Sequence, residues 1–195
     1  MSTLSLLDPE LAVPTRVDRA TSQRLATAIQ AQDGGCYCNA LRALPRVADA
    51  RYVEGVVVIQ NGLRFEHAWL ESAAGVVDPT PAYAAMPEQA CTYFPGPRWT
   101  LGDVHALFSP EQDDIDTPLL QPDISDSPHR QAWITATLAA FRHVSALHLQ
   151  QTGRPAIPAE HHASMLDALI GSYWADRVRE GHGSHGQPTT AALQC

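Results

Sequence analysis

At 195 residues and 21.1 kDa, the chain is long enough to bury one good core. Hydrophobic residues make up 45% of it and charged residues 17%, which argues against general disorder. A formal charge of −8, with arginine supplying all 13 basic side chains, argues against a phosphate-backbone binder and so against nucleic acid as a partner.

The opening Met-Ser-Thr-Leu-Ser-Leu-Leu-Asp-Pro-Glu has no basic residue ahead of its short apolar run. No stretch approaches the roughly 18 uninterrupted apolar residues of a membrane span. The expectation is therefore no membrane partner and a cytoplasmic location. Without secretory context the four cysteines read as thiols rather than a disulfide framework, with Cys195 incidental.

Residues 17–30 are rich in helix formers, and Ala20, Leu25, Ala26 and Ile29 share one apolar face. Asp33-Gly34-Gly35 makes a turn, and a second, short helix opens at Cys36 and runs through Asn39, Ala40, Leu41 and Leu44 until Pro45 interrupts it. From Tyr52 the pattern becomes β. Asn61-Gly62 between two β-rich runs is a hairpin signal, since both residues tolerate the positive φ of a type I′ turn. That turn sets Gln60 against Leu63, Val58 against Phe65, Val56 against His67 and Glu54 against Trp69. A second reversal over residues 71–74 returns Val76-Val77-Asp78 as a third antiparallel strand, with Leu70 against Gly75 and His67 against Asp78. Side chains so paired have Cβ atoms roughly 5 Å apart, near enough for a carboxylate to hold an imidazole. A slip of one residue would destroy the pairing. Both faces of this meander carry apolar residues, so both should be covered, and the helix of Cys36 should pack on the face of His67.

From Asp78-Pro79-Thr80 to Trp99 the chain reads as proline-rich and irregular, and Thr100 to Asp103 then resembles an N-cap for a short helix ending at Leu107. Residues 109–127, crowded with prolines and aspartates, read as a linker. Two amphipathic helices follow. The first runs from Pro128 to Thr152-Gly153 with Ile134, Leu138, Phe141 and Ser145 near one stripe. The second runs from Pro158 to Glu180 with Leu166, Leu169, Ile170, Tyr173 and Trp174. Together they read as a helical hairpin able to mediate homo-oligomerisation. The tail from Gly181 reads as flexible. The division is a core over 1–108, a linker over 109–127, a helical extension over 128–180 and a tail over 181–195, in the α+β class.

Cys36, His67 and Asp78 carry the chemistry. A thiol is a poor nucleophile while protonated, and a helix N-terminus and an imidazolium both favour its thiolate. His67 would share the proton with Cys36 and later give it to a leaving group, while Asp78 fixes the ring's tautomer and supports its charge. The backbone N–H of Cys36 is a natural first donor for an oxyanion, with Gln30 and Gln32 as candidates for a second. Asn39, one turn after Cys36, is placed to line a cleft or bond to backbone. Trp69 shields the His67–Asp78 pair, and Glu54 is a substrate contact or a partner for an arginine. Such chemistry calls for no metal and no cofactor.

Cys36-Tyr37-x-Asn39-Ala40, Tyr52-Val53-Glu54-Gly55, His67-Ala68-Trp69 and Asp78-Pro79-Thr80 resemble the successive motifs of small bacterial and phage proteins of the transglutaminase-like, papain-fold superfamily. Cys, His, Asp on helix, strand and strand is that superfamily's order. The pair His-Ala-Trp and Asp-Pro-Thr is also similar to lasso-peptide leader peptidases. The likeness covers about residues 30 to 105, with Tyr93-Phe94-Pro95-Gly96 as a further match. It implies a papain/transglutaminase-like core and acyl transfer on a protein, peptide or small amide substrate. It also sets Gln30, six positions before Cys36, at the offset of the oxyanion-hole glutamine of papain-like enzymes.

Each residue has a plainer reading. Cysteine is among the most buried residue types, so Cys36 could be a small core hydrophobe. Cys38 is a rival nucleophile, but on a helix it is turned about 200° away from Cys36. Cys36, Cys38 and Cys91 lack the usual zinc-ligand spacing. His143, His148, His161 and His162 read as solvated positions. The chain as a whole could be a papain-fold binding or oligomerisation module without catalysis.

Overall fold

Asp18 accepts the Thr21 N–H at 3.1 Å, and this cap starts α1 (Arg19–Ala28). The computed structural model describes residues 16–87, 90–107 and 128–154. Leu25 from α1 and Ile29 just after it turn inward, each burial contributing about 1.5–3 kcal/mol. Helix α2 (Cys36–Ala43) gives way to a 3₁₀ turn, Leu44–Arg46, where Pro45 denies the α-helix an N–H. Strands β1 (Arg51–Ile59), β2 (Arg64–Ser72) and β3 (Gly75–Val77) follow, then a one-turn helix α3 (Pro81–Ala84), β4 (Cys91–Trp99), α4 (Leu101–Leu107) and α5 (Pro128–Thr152).

The strands form a four-stranded antiparallel sheet in the order β3-β2-β1-β4, so the fold is α+β. β4 lies in a stretch the sequence marked as irregular. Pro95 and Pro97 argued against a strand there, yet β4 is at the sheet's edge, where a missing N–H costs no ladder bond on the outer side. The α4 cap is as expected: the Thr100 N–H donates to Asp103 Oδ2 at 2.8 Å and the Asp103 N–H to Thr100 Oγ1 at 3.2 Å.

The β1–β2 hairpin departs by one residue from the expected register. Val58 pairs with Arg64, Val57 with Phe65, Val56 with Glu66, Gly55 with His67 and Glu54 with Ala68. Ile59 faces Leu63, whose carbonyl accepts the Ile59 N–H at 2.9 Å, across the loop Gln60-Asn61-Gly62. A turn bond from the Gly62 N–H to Ile59 O (2.8 Å) and a φ of +82° at Gly62 make this the three-residue loop, in which only the glycine has positive φ. The Gln60 N–H goes instead to Ala90 O at 2.9 Å, alongside the β1–β4 ladder, so it does not pair with Leu63.

Direct cross-strand pairs share a face, so this register sorts the sheet. One face carries Val53, Val57, Trp69, Val76 and Tyr93 in one apolar cluster. The other carries Tyr52, Ala68, Leu70 and Val77, against which Leu25, Ala40, Ala43 and Leu44 pack. Val56, Val58 and Phe94 continue that second face beneath Ala136, Ala139 and Ala140 of α5. The α5 stripe is therefore made of small residues with Trp133 and Phe141, while Ile134, Leu138 and Ser145 are half-buried beside it. Small side chains let the helix approach closely: a Cβ on Gly96 would stand 3.3 Å from the Trp133 Cα. His148 is exposed as expected, while His143 is half-buried with its ring 5.4 Å from that of Phe94.

No described helix is long and apolar enough to cross a membrane. The second terminal helix expected over 158–180, the linker over 109–127, the tail from 181, His161 and His162 lie outside the described residues.

Candidate functional site

β2 delivers His67 to the face that also carries Trp69, with Gly55 opposite on β1. The return to β3 is tighter than the sequence suggested: Ser72 pairs with Gly75, Glu71 with Val76 and Leu70 with Val77. Leu70 thus meets Val77 rather than Gly75, a displacement of two residues. Because side chains alternate with a period of two, that displacement leaves Asp78 on the face of His67, level with Trp69. The carboxylate reaches back along a diagonal, and its Oδ2 lies 2.7 Å from His67 Nε2. The pairing expected from sequence is made, through a different register.

Asp78 is fully buried and held at its N–H and at both carboxylate oxygens. Tyr93 donates its hydroxyl to Oδ2 at 2.9 Å, the Thr80 N–H donates to Oδ1 at 3.0 Å, and the Asp78 N–H donates to Ser22 Oγ at 3.0 Å. Ser22 in turn donates its hydroxyl to Asp18 O at 2.7 Å. Burial by itself would push His67 down. The charge and hydrogen bond of Asp78, with a further hydrogen bond to Cys36, reverse this and push the imidazole up to about 10. The ring is walled by aromatic groups: Tyr83 at 4.2 Å, Trp69 at 6.2 Å and nearly parallel, and Tyr93 at 6.5 Å between centroids.

Cys36 is the first residue of α2. The helix does not pack on the face of His67, as expected, but on the opposite one through Ala40 and Ala43. Its N-terminus still meets His67, because β3 pairs β2 only at Leu70–Ser72 and leaves the outer edge of β2 open at His67. With Nε2 committed to Asp78, Nδ1 is the ring nitrogen left to face Cys36. Gly35 caps α2 without a side-chain hydrogen bond, so the N–H of Cys36 is not claimed by a cap. Asn39 fixes the preceding loop: its Nδ2 donates to Gln32 O at 2.7 Å and its Oδ1 accepts the Gln32 N–H at 3.1 Å. Asp33 Oδ1 accepts the Ala82 N–H at 2.8 Å, tying the same loop to α3 and thus to Tyr83.

The remaining candidates divide between those that depart from their expected places and those that keep them. Gln30 and Gln32 are exposed, and Gln30 occupies the left-handed turn after α1 with φ +53°. Asn39 takes the second of its two expected roles, its amide bonding the backbone N–H and carbonyl of Gln32. Glu54 lies on the face opposite His67, buried, where it accepts the Tyr52 hydroxyl at 2.9 Å. The one-residue hairpin slip is the cause. Trp69 does shield the His67–Asp78 pair, fully buried. Cys38 is disulfide-bonded, which corrects the expectation of four thiols, while Cys36 and Cys91 are free.

Tyr83 and Ser22 had no place in the sequence reading, and Tyr93 stood there only within the Tyr93-Phe94-Pro95-Gly96 match, with no role at the site. The role of Tyr93 was hidden with the strand that carries it. Ser22, three residues before Leu25, does have a helix-face signal, since it shares the inward stripe of α1. No protein-family model, curated protein or solved structure matches the chain.

Proposed function

We propose that the chain is a thiol acyl-transfer enzyme with Cys36 as nucleophile, His67 as acid–base and Asp78 as its partner, on a core resembling the papain/transglutaminase kind. The observation that carries the reading is the 2.7 Å hydrogen bond between His67 and the buried Asp78, with Cys36, the first residue of α2, close enough to the same imidazole to influence its proton. The thiolate of Cys36 adds to the carbonyl carbon of a protein, peptide or small amide. The oxygen takes the electron pair of the C=O bond and meets the first-turn N–H of α2. As the pair returns, the C–N bond breaks and the imidazolium of His67 gives its proton to the departing amine. Water or a second amine then loses a proton to His67 and displaces the thiolate from the thioester. Hydrolysis, deamidation and transamidation share this first half and differ in the acceptor and in the groove that binds the amide.

One observation favours a second reading, a binding module without catalysis: Cys36 is only 8% exposed. Alkylation separates the two. An enzyme of this kind should react with iodoacetamide at about pH 6, well below the usual thiol range, and lose that reactivity in His67→Ala. Mass spectrometry of the intact, non-reduced protein should place the adduct on Cys36 rather than Cys91. Ordinary thiol behaviour at Cys36, indifferent to His67, would reject the enzyme and leave the binding module.

A further inference from the structure

Resting on the acyl-transfer reading, we infer that Tyr93 is a positioning residue of the site, whose hydroxyl holds Asp78 against His67 and draws off part of the carboxylate's charge so that His67 can release its proton. Two donors converge on one oxygen: His67 Nε2 at 2.7 Å and the Tyr93 hydroxyl at 2.9 Å from Asp78 Oδ2. The other oxygen is occupied by the Thr80 N–H at 3.0 Å. Without a second donor, Oδ2 of this buried carboxylate would direct its charge at the imidazolium alone. His67 already holds its proton up to about 10, whereas a group that must take and give a proton works best near the operating pH. Tyr93 moderates that grip without competing for charge, since it is neutral. Burial and the Asp78 carboxylate push its phenol far above the ordinary range, so it remains a donor at any working pH.

Few other ionisable groups face the pair. Cys36 comes from α2, Tyr83 from α3 and Cys91 from the start of β4, while β1 offers Gly55 opposite His67 and α1 offers the Ser22 hydroxyl. Cys91 is occupied with Met86 Sδ at 3.3 Å. Tyr93 is also the one described side chain besides His67 that donates to Asp78. It arrives from the edge strand, so the position of β4 is transmitted to the carboxylate.

The test follows the His67 ring by nitrogen NMR in the full chain labelled at histidine, its signal identified by loss in His67→Ala. Tyr93→Phe should raise the His67 midpoint by about one pH unit, the effect of one lost hydrogen bond to a charged group. Replacing tyrosine throughout with 3-fluorotyrosine, a stronger donor of nearly the same shape, should lower it. The second protein decides the matter if Tyr93→Phe fails to fold. A midpoint that stays put or falls in Tyr93→Phe, or fails to fall with fluorotyrosine, overturns the role. Alkylation of Cys36 that depends on His67 while the Tyr93 variants leave the ring unmoved would sink this inference alone. Alkylation indifferent to His67 would sink the acyl-transfer reading beneath it.

Discussion

Asp78 sits level with Trp69, two residues along β2 from His67, and the 2.7 Å hydrogen bond between Asp78 and His67 runs diagonally across the junction of β2 and β3. The native pair holds a proton on His67 up to about 10, against the usual 6.5. Below about 6.5 the unfolded chain is protonated at this ring too, so the stabilisation is fully present. As pH rises from there through about 10, only the native state keeps the proton. Stability should therefore fall across that window, by at most about 1.4 kcal/mol per pH unit. Urea midpoints at successive pH values should show the decline in the parent chain and a much flatter profile in Asp78→Asn. Equal slopes in the two proteins would mean that the pair is not what binds the proton.

Gly55 stands opposite His67, and a Cβ there would lie 2.7 Å from the Trp69 ring and in collision with the Phe94 carbonyl. The β1–β4 register shifts at this point, between Val53 and Gly55, so the backbone has little freedom to retreat. Gly55→Ala should cost about 1–3 kcal/mol by overpacking. Displacing Trp69 should also disturb the wall it forms beside His67. Urea denaturation checks the first effect and the Cys36 alkylation rate the second. A variant as stable as the parent would show that the sheet accommodates a methyl group there.

Ser22 accepts the Asp78 N–H at 3.0 Å from across the α1–β3 contact. Both residues are buried, so Ser22→Ala leaves an amide with no partner at a cost of about 1–3 kcal/mol. Ser22→Thr keeps the oxygen and should recover most of the loss by the same measurement. If the alanine and threonine variants are equally destabilised, the added or missing volume is at fault and the hydrogen bond is not.

What could be read from sequence follows the periodicity of strands. The β2–β3 register was displaced by two residues, and His67 and Asp78 still shared a face because parity survived. The β1–β2 register was displaced by one, and Glu54 changed sides. Turn chemistry caused the second error, since Asn61-Gly62 suits either a two-residue or a three-residue loop. The bond from Gln60 to Ala90 that accompanies the longer loop is a contact between distant segments. β4 was obscured by Pro95 and Pro97, which are tolerable only at an edge, and which strand forms the edge is a tertiary fact. The contact of Tyr93 with Asp78 was lost with it. The helix start at Cys36 was legible from two glycines before it and Pro45 after. The face on which that helix packs was not, because Ala40 and Ala43 are small enough for either.

Asn39 gives the sharpest division between holding the site and performing in it. Its amide clamps both the N–H and the carbonyl of Gln32, so it fixes the loop from which Cys36 emerges. Asn39→Ala should lose two hydrogen bonds made by a buried side chain, costing about 1–3 kcal/mol. It should lower the alkylation rate of Cys36 by letting the start of α2 fray, while the pH dependence of stability set by His67 and Asp78 persists. Asp78→Asn should do the reverse to that pH dependence, so the two variants form a crossed pair. Asn39→Ala with a flattened pH profile would indicate that the loop also supports the imidazole, and an unchanged alkylation rate would show that α2 keeps its start without the clamp.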